Sequence, residues 1–233
     1  MKALPPFEGF SPKTIKFLKD LKANNNRDWF MANKQIYEEE IKQRTQSLVN
    51  EMAMAFASED LPYLADIKKS LFRIYRDVRF SKNKEPYKTN AGVYFPYKAG
   101  ETGHKPGDGG GLYLHIEPGD CFIAAGRHMP SSEHLKGIRK KIDTDWKELE
   151  KIMKSKKLLN EFPDVFESEK LKRMPRGYSE DHPAAELLKL KGYTVYTSIP
   201  QKDLNNRKLI NMLVKKAKTV VPFLEFLHQG AVG

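Results

Sequence analysis

Basic side chains are concentrated in residues 70–88, which read SLFRIYRDVRFSKNKEPYK. This basic segment holds six Lys or Arg residues and two acidic ones, Asp77 and Glu85. Guanidinium groups crowded this closely repel one another unless carboxylates or a bound anion lie among them. Arginine also presents a planar set of donors that fits phosphate or carboxylate. The segment therefore predicts a site for an anion.

A regular strand is predicted over residues 70–81, because they are rich in β-branched and aromatic residues. A period of two places Arg73, Asp77 and Arg79 on one face of that strand. Arg76 then falls among the apolar side chains of the other face, which is costly unless it is paired or the strand is bulged. Asp77 is predicted to orient one or more of the guanidinium groups.

The predicted anion site draws on cationic and hydroxyl side chains from several parts of the chain. These candidate ligand-binding residues are Arg73, Arg76, Arg79, Ser81, Lys84, Tyr87, Lys88, Arg139 and Arg176. The alternative is a structural ladder of ion pairs across a sheet face, with Glu117 among its acids. For Arg139, which lies near the apolar stripe of its predicted helix, pairing inside the core is an equal alternative.

A second group of side chains could act as acids or bases, although the residues leave open whether any reaction takes place. These candidates are Asp77, His115, Glu117 and His182. Glu117 could orient His115 as a general base, or His115 could be an exposed strand residue. His182 fits the start of a helix as well as an acid–base role. No metal site is predicted and no cofactor is expected, since nucleotide-binding and zinc-protease motifs are absent from the sequence.

Helices, then consecutive strands, then helices must position these residues. Helical apolar spacing marks the first third of the chain and residues 132–153, and returns near the chain end. The predicted strands after residue 81 are residues 91–96, 112–117, 121–125 and 193–199. Pro118-Gly119-Asp120 predicts a hairpin turn. The order predicts an α+β fold, with a largely antiparallel sheet from the middle third packed against N- and C-terminal helices.

The net charge of the chain is +11, from 41 Lys and Arg against 30 Asp and Glu. A positive field favours a small anionic ligand, or nucleic acid as the alternative, although solubility alone also explains it. Tyr75, Phe80 and Tyr87 could stack on bases. The single cysteine, Cys121, fits a reducing compartment. Without a signal peptide or a membrane span, the protein is expected to be cytoplasmic and to avoid membranes; its oligomeric state stays open.

Several stretches of the chain together carry a resemblance. They are RDVRFSKNKEPYK at residues 76–88, NNNRDWF at 24–30, YLHIE at 113–117, KRMPRGY at 172–178 and DHP at 181–183. With these stretches the chain resembles the bacterial and fungal family called domain of unknown function 2461. The resemblance implies one domain rather than two and implies no activity. We expect a single domain over residues 1–233, with flexible ends allowed at 1–10 and 229–233. Where the family pattern commonly has a glycine pair, this chain has Ala124-Ala125-Gly126.

Overall fold

A computed structural model describes residues 4–98, 109–165 and 170–233 of the chain. The N-terminal helices are α1 (Pro12–Ala23), α2 (Arg27–Ala32), α3 (Lys34–Ile36), a π-helical turn (Tyr37–Gln43), α4 (Arg44–Ser58) and α5 (Ile67–Ser70). The strands are β1 (Ala91–Pro96), β2 (Gly111–Glu117), β3 (Asp120–Arg127), β4 (Asp164–Val165) and β5 (Tyr193–Ser198). The later helices are α6 (Ser132–Met153), α7 (Lys156–Glu161), α8 (Ala185–Leu188), a 3-10 turn (Gln201–Leu204) and α9 (Lys208–Val232).

The strands form an antiparallel sheet with the order β1-β2-β3-β5-β4. β2 and β3 are the predicted hairpin, in which Glu117 pairs with Asp120. Gly119, in the turn between them, has a φ of +83°, a left-handed conformation that glycine adopts at little cost. The predicted α+β fold is confirmed.

The two faces of the sheet differ because side chains alternate along each strand. Leu112, Leu114, Ile116 and Ile123 have no exposed surface and belong to one core cluster with side chains of α1, α4 and α9. The alternate residues point away from these helices, to a face that we call the outer face. On β1, β2 and β3 the outer face carries Tyr94, Tyr113, His115, Phe122 and Ala124.

The described ends of the chain, where the sequence allows flexibility, contain buried residues. Phe7 and Phe10 are each 1% exposed, and their rings meet edge to face at 5.3 Å. At the other end, α9 continues to Val232, and Gly230 within it is buried. The chain therefore packs on the rest of the fold from Phe7 at its N-terminal end, and as far as Gly230 at its C-terminal end.

The regular strand predicted over residues 70–81 is wrong. The basic segment forms only isolated bridges, between Leu71 and Val93 and between Tyr75 and Tyr87. The Arg76 N–H donates to the Pro86 carbonyl at 2.9 Å, and the Lys88 N–H donates to the Ile74 carbonyl at 2.8 Å. The chain thus folds back on itself around residues 77–85. A strand-like composition describes side chains that suit a sheet, but it does not supply a partner strand for the whole segment.

Helices α6 and α9 approach each other at two glycines. A Cβ atom added to Gly137 of α6 would lie 2.1 Å from the Gly230 carbonyl oxygen of α9. No side chain fits there without a shift of backbone. Although α9 has 25 residues, none of the helices in the described ranges is long and apolar enough to cross a membrane.

We expect Gly137→Ala to destabilise the protein by about 1–3 kcal/mol, because the methyl group would push α6 and α9 apart. At an exposed helical position the same change would stabilise by about 1 kcal/mol, so the sign is diagnostic. Urea unfolding measures the difference. Lys136→Ala, at an exposed neighbouring position, is the control. A stabilised Gly137→Ala protein would contradict the close helix contact.

Candidate functional site

The basic segment is anchored by Tyr87. This side chain is 3% exposed, and its ring stacks on Phe30 of α2 with centroids 4.1 Å apart. The Asn25 side chain pairs with the Tyr87 backbone in both directions. Its Nδ2 donates to the Tyr87 carbonyl at 3.0 Å, and its Oδ1 accepts from the Tyr87 N–H at 3.1 Å. Tyr87 therefore acts as a core anchor that fixes the position of Lys88 beside it.

Arg79 and Asp77, both exposed, form a two-pronged pair. Arg79 Nε donates to Oδ1 of Asp77 at 3.0 Å, and Nη2 donates to Oδ2 at 2.7 Å. The hydrogen bonds from Arg79 lower the pKa of Asp77 to about 2. A carboxylate with so low a pKa is a weak general base near neutral pH. Asp77 orients one guanidinium group here, that of Arg79.

The other two arginines of the basic segment have fewer partners. Nη2 of Arg76 lies 3.4 Å from the Tyr87 carbonyl oxygen and 3.6 Å from Oε2 of Glu85. Its Nε is buried without a hydrogen-bond partner among the described residues. Arg73 is exposed, and none of the described residues forms an ion pair with it. The segment therefore keeps positive charge that its two carboxylates do not neutralise.

Lys88 adds a third cation to Arg73 and Arg76. Burial lowers the pKa of Lys88, and the charges of Arg73 and Arg76 lower it further. Its Nζ lies over the ring of Phe72, 5.2 Å from the centroid. An anion beside these three side chains would relieve their mutual repulsion.

Four further candidates make contacts of their own. Ser81 Oγ accepts from the Asn83 N–H at 3.1 Å, and Lys84 Nζ donates to the Val78 carbonyl at 2.9 Å, so both brace the exposed loop. Arg176 is exposed before α8. His182 accepts from the Ala184 N–H at 2.9 Å through Nδ1.

Arg139 on α6 binds backbone carbonyls at and just after the C-terminal end of α8. Its Nε donates to the Leu188 carbonyl at 2.8 Å, and Nη2 donates to the Leu190 carbonyl at 3.0 Å. Nε2 of His182 lies 3.4 Å from Oδ1 of Asp143, also on α6. These contacts join α6 to the α8 region, as in the paired-arginine alternative for Arg139.

We expect Arg139→Met to lower the free energy of unfolding by about 1–3 kcal/mol, because two carbonyl groups lose a charged donor. Methionine keeps much of the aliphatic stem, so the loss reports on the hydrogen bonds. Urea unfolding provides the measurement. Lys140→Met, exposed on the same helix, should change stability by less than about 0.5 kcal/mol. Equal stability of the two variants would contradict a structural role for Arg139.

A cavity of about 430 Å³ opens on the outer face of the sheet. Its floor contains small residues, which are Gly111, Ala124, Gly126 and Thr194, and its walls are the rings of Phe72, Tyr94, Tyr113 and Phe122. The strand register explains this shape, because Tyr113 pairs with Tyr94 on one side and Ala124 on the other. Two residue pairs further along the same two strands, Gly111 pairs with Gly126. The missing side chains leave the space that the rings enclose.

Gly126 keeps part of the floor open for a backbone reason. Its φ is +138°, a conformation that other residues rarely adopt. A Cβ atom there would lie 2.0 Å from the Tyr193 carbonyl oxygen on β5. No larger residue can occupy this position without separating β3 from β5.

Phe72 joins the cavity to the basic segment. Its ring meets Tyr113 edge to face, with centroids 5.8 Å apart, and also lies under Lys88 Nζ. Arg127, 1% exposed at the end of β3, points toward α6, where its Nη1 lies 3.3 Å from Nδ1 of His134. Burial raises the pKa of Tyr94, and the charge of Arg127 opposes that rise. Positive charge therefore borders the apolar cavity on the side of Phe72 and Lys88.

His115 and Glu117 are close together, as predicted, and they connect to the cavity through Tyr113. Nδ1 of His115 lies 3.0 Å from Oη of Tyr113, and its Nε2 lies 3.4 Å from Oε2 of Glu117. The imidazole stacks on Phe122 with centroids 4.6 Å apart. Burial raises the pKa of Tyr113 to about 12, so its hydroxyl stays protonated near neutral pH.

Glu117 is held by donors from other parts of the fold. Its Oε1 accepts from Thr89 Oγ1 at 3.2 Å and from Lys22 Nζ at 3.5 Å. The result is a row of polar groups that begins at Glu117 and ends with the Tyr113 hydroxyl at the cavity wall.

The family model described as Conserved hypothetical protein (DUF2461) matches residues 13–226. The chain belongs to the DUF2461 family. No curated protein and no solved structure matches the chain. The matched range contains the basic segment, the outer-face cavity and the His115–Glu117 pair, so these features lie within the DUF2461 domain itself.

Sequence reasoning did not identify most of the cavity of this DUF2461 protein. Tyr94, Phe122, Ala124 and Thr194 were not candidates, and Arg127 carries no motif. The sequence carries only a weak signal for the cavity, which is that the outward-facing positions of β2 and β3 hold either rings or very small residues. Among the described residues, no group of three or more His, Cys, Asp or Glu could hold a metal ion.

Proposed function

We propose that this DUF2461 protein binds a small anion that carries an apolar group. The apolar group would occupy the outer-face cavity, and the phosphate or carboxylate would lie beside Lys88 and Arg73. One observation supports this most directly: Phe72 is a cavity wall and also lies under Lys88 Nζ. Arg76 would support the same anion from its partly buried position.

The size and chemistry of the site agree with this proposal. Ligand cavities in proteins typically have about 300–1,000 Å³ and apolar walls with a few polar groups. The cavity here has about 430 Å³ and aromatic walls. Cations that are partly removed from water bind anions more strongly than fully solvated ones do. Lys88 meets that condition, since burial already lowers its pKa.

Anilinonaphthalene sulfonate, a fluorescent anion with an apolar ring system, provides a probe. We expect Lys88→Met to weaken its binding by about tenfold, because a charged contact is lost while the stem over Phe72 is kept. Ala124→Phe should abolish binding by filling the cavity. Fluorescence titration measures both effects, and circular dichroism verifies folding.

Lys16→Met removes the same charge from an exposed position on α1 and should leave probe binding unchanged. Equal losses in Lys16→Met and Lys88→Met would mean that only net charge matters. Unchanged binding in a folded Ala124→Phe protein would place the probe elsewhere and contradict the proposal.

Nucleic acid is a second candidate ligand, favoured by the exposed end of the basic segment. Phe80 is 95% exposed, and the Arg79 guanidinium carbon lies 5.8 Å from its ring centroid. An exposed ring between cations suits base stacking along a single strand. Lys82 and Lys84 follow within the same loop.

Fluorescein-labelled oligothymidine tests this candidate by anisotropy at two salt concentrations. Binding should weaken steeply with salt, and Phe80→Ala should reduce the affinity by about tenfold through lost stacking. Leu159→Ala, which truncates an exposed apolar residue on α7, is the matched control. No binding at low salt would exclude nucleic acid as the ligand.

A further inference from the structure

The hydrogen positions in the polar row from Glu117 through His115 to Tyr113 follow from the contacts of Glu117. Glu117 accepts from Thr89 and Lys22 through Oε1, and its other oxygen is the acceptor toward His115. Nε2 of neutral His115 therefore carries the ring hydrogen, which faces Glu117. That tautomer leaves Nδ1 as an acceptor, and the Tyr113 hydroxyl is positioned to donate to it.

Tyr113 has one hydroxyl hydrogen and two places where it can be used. One is Nδ1 of His115, 3.0 Å away. The other is the cavity, of which Tyr113 forms a wall. The charged group of a ligand bound between Lys88 and Tyr113, both of which contact Phe72, attracts this hydrogen more strongly than a neutral nitrogen does. Turning the hydroxyl toward the anion leaves Nδ1 facing the lone pairs of the phenolic oxygen.

We infer that an anion bound against Tyr113 is taken up together with one proton, which His115 binds at Nδ1. The proton comes from solvent, and the only new covalent bond is Nδ1–H. The new N–H donates to Tyr113 Oη, and the Tyr113 O–H donates to the anion. This inference rests on the proposed anion site and adds a selectivity to it: the ligand must present a hydrogen-bond acceptor at Tyr113.

The surroundings of His115 are suited to carry that charge. Glu117, on the same strand, faces Nε2 and balances an imidazolium. The paired positions on the adjacent strands are Gly92 of β1 and Phe122 of β3, which are uncharged. Lys22 of α1 is the cation of this group, and it contacts the other oxygen of Glu117. Asn90 Nδ2 lies 3.4 Å from Nδ1 and is also a hydrogen-bond partner of the Tyr113 hydroxyl, so it can donate to Oη alone when His115 is protonated.

The experiment is a fluorescence titration with anilinonaphthalene sulfonate from about pH 5.5 to about pH 8.5, the range in which an imidazole changes its charge. The sulfonate keeps its charge throughout. With one linked proton, the affinity should fall by about tenfold for each pH unit above the imidazole titration. Tyr113→Phe and His115→Gln should bind with an affinity that is nearly constant with pH.

His128, an exposed histidine that also lines the cavity, supplies the matched control. His128→Gln should keep the full pH dependence. Loss of the dependence in His128→Gln, or its persistence in Tyr113→Phe, overturns the inference. So does pH-independent binding by the unaltered protein, and in that case the anion site itself still stands. Absence of any probe binding removes the proposed site and the inference with it.

Discussion

The outer face of the sheet is shaped by the lack of side chains at paired positions of β2 and β3. Gly111 and Gly126 lie opposite each other, and the conformation of Gly126 together with the nearby Tyr193 carbonyl rules out a Cβ atom there. The ring of Tyr94 packs close to Gly111, 2.7 Å from the place that a Cβ atom would take. The floor of the cavity therefore follows from backbone geometry, and aromatic side chains supply its walls.

The basic segment meets this cavity without belonging to the sheet. Its position depends on one stacked ring, Tyr87 on Phe30, and on the isolated bridge between Leu71 and Val93. The segment can therefore carry several cations at the rim, because none of them has to be buried in a strand. Lys88 is the cation most affected by its surroundings, and Phe72 places it beside the apolar wall.

The sequence predicted the elements whose signals are local. β1 and α6 begin and end where their patterns predict, and the turn at Gly119 follows from its residue types. The strand prediction failed over residues 70–81, because a strand-like composition does not supply a partner strand for most of that length. For Arg139 the partners are backbone carbonyls, which no residue pattern reveals. The cavity is also invisible to sequence reasoning, since its floor depends on the register between strands that are distant in the chain. The pairing of His115 with Glu117 was predictable, because both lie on one strand two residues apart.

The amide of Asn25 has a consequence beyond local packing. By pairing with both the N–H and the carbonyl of Tyr87, it takes the place of one residue of a neighbouring strand. The turn between α1 and α2 thus sets the register of a loop that lies 62 positions later in the chain. A small rotation of that turn would move the Lys88 ammonium group with it, so the position of this cation depends on the N-terminal helices.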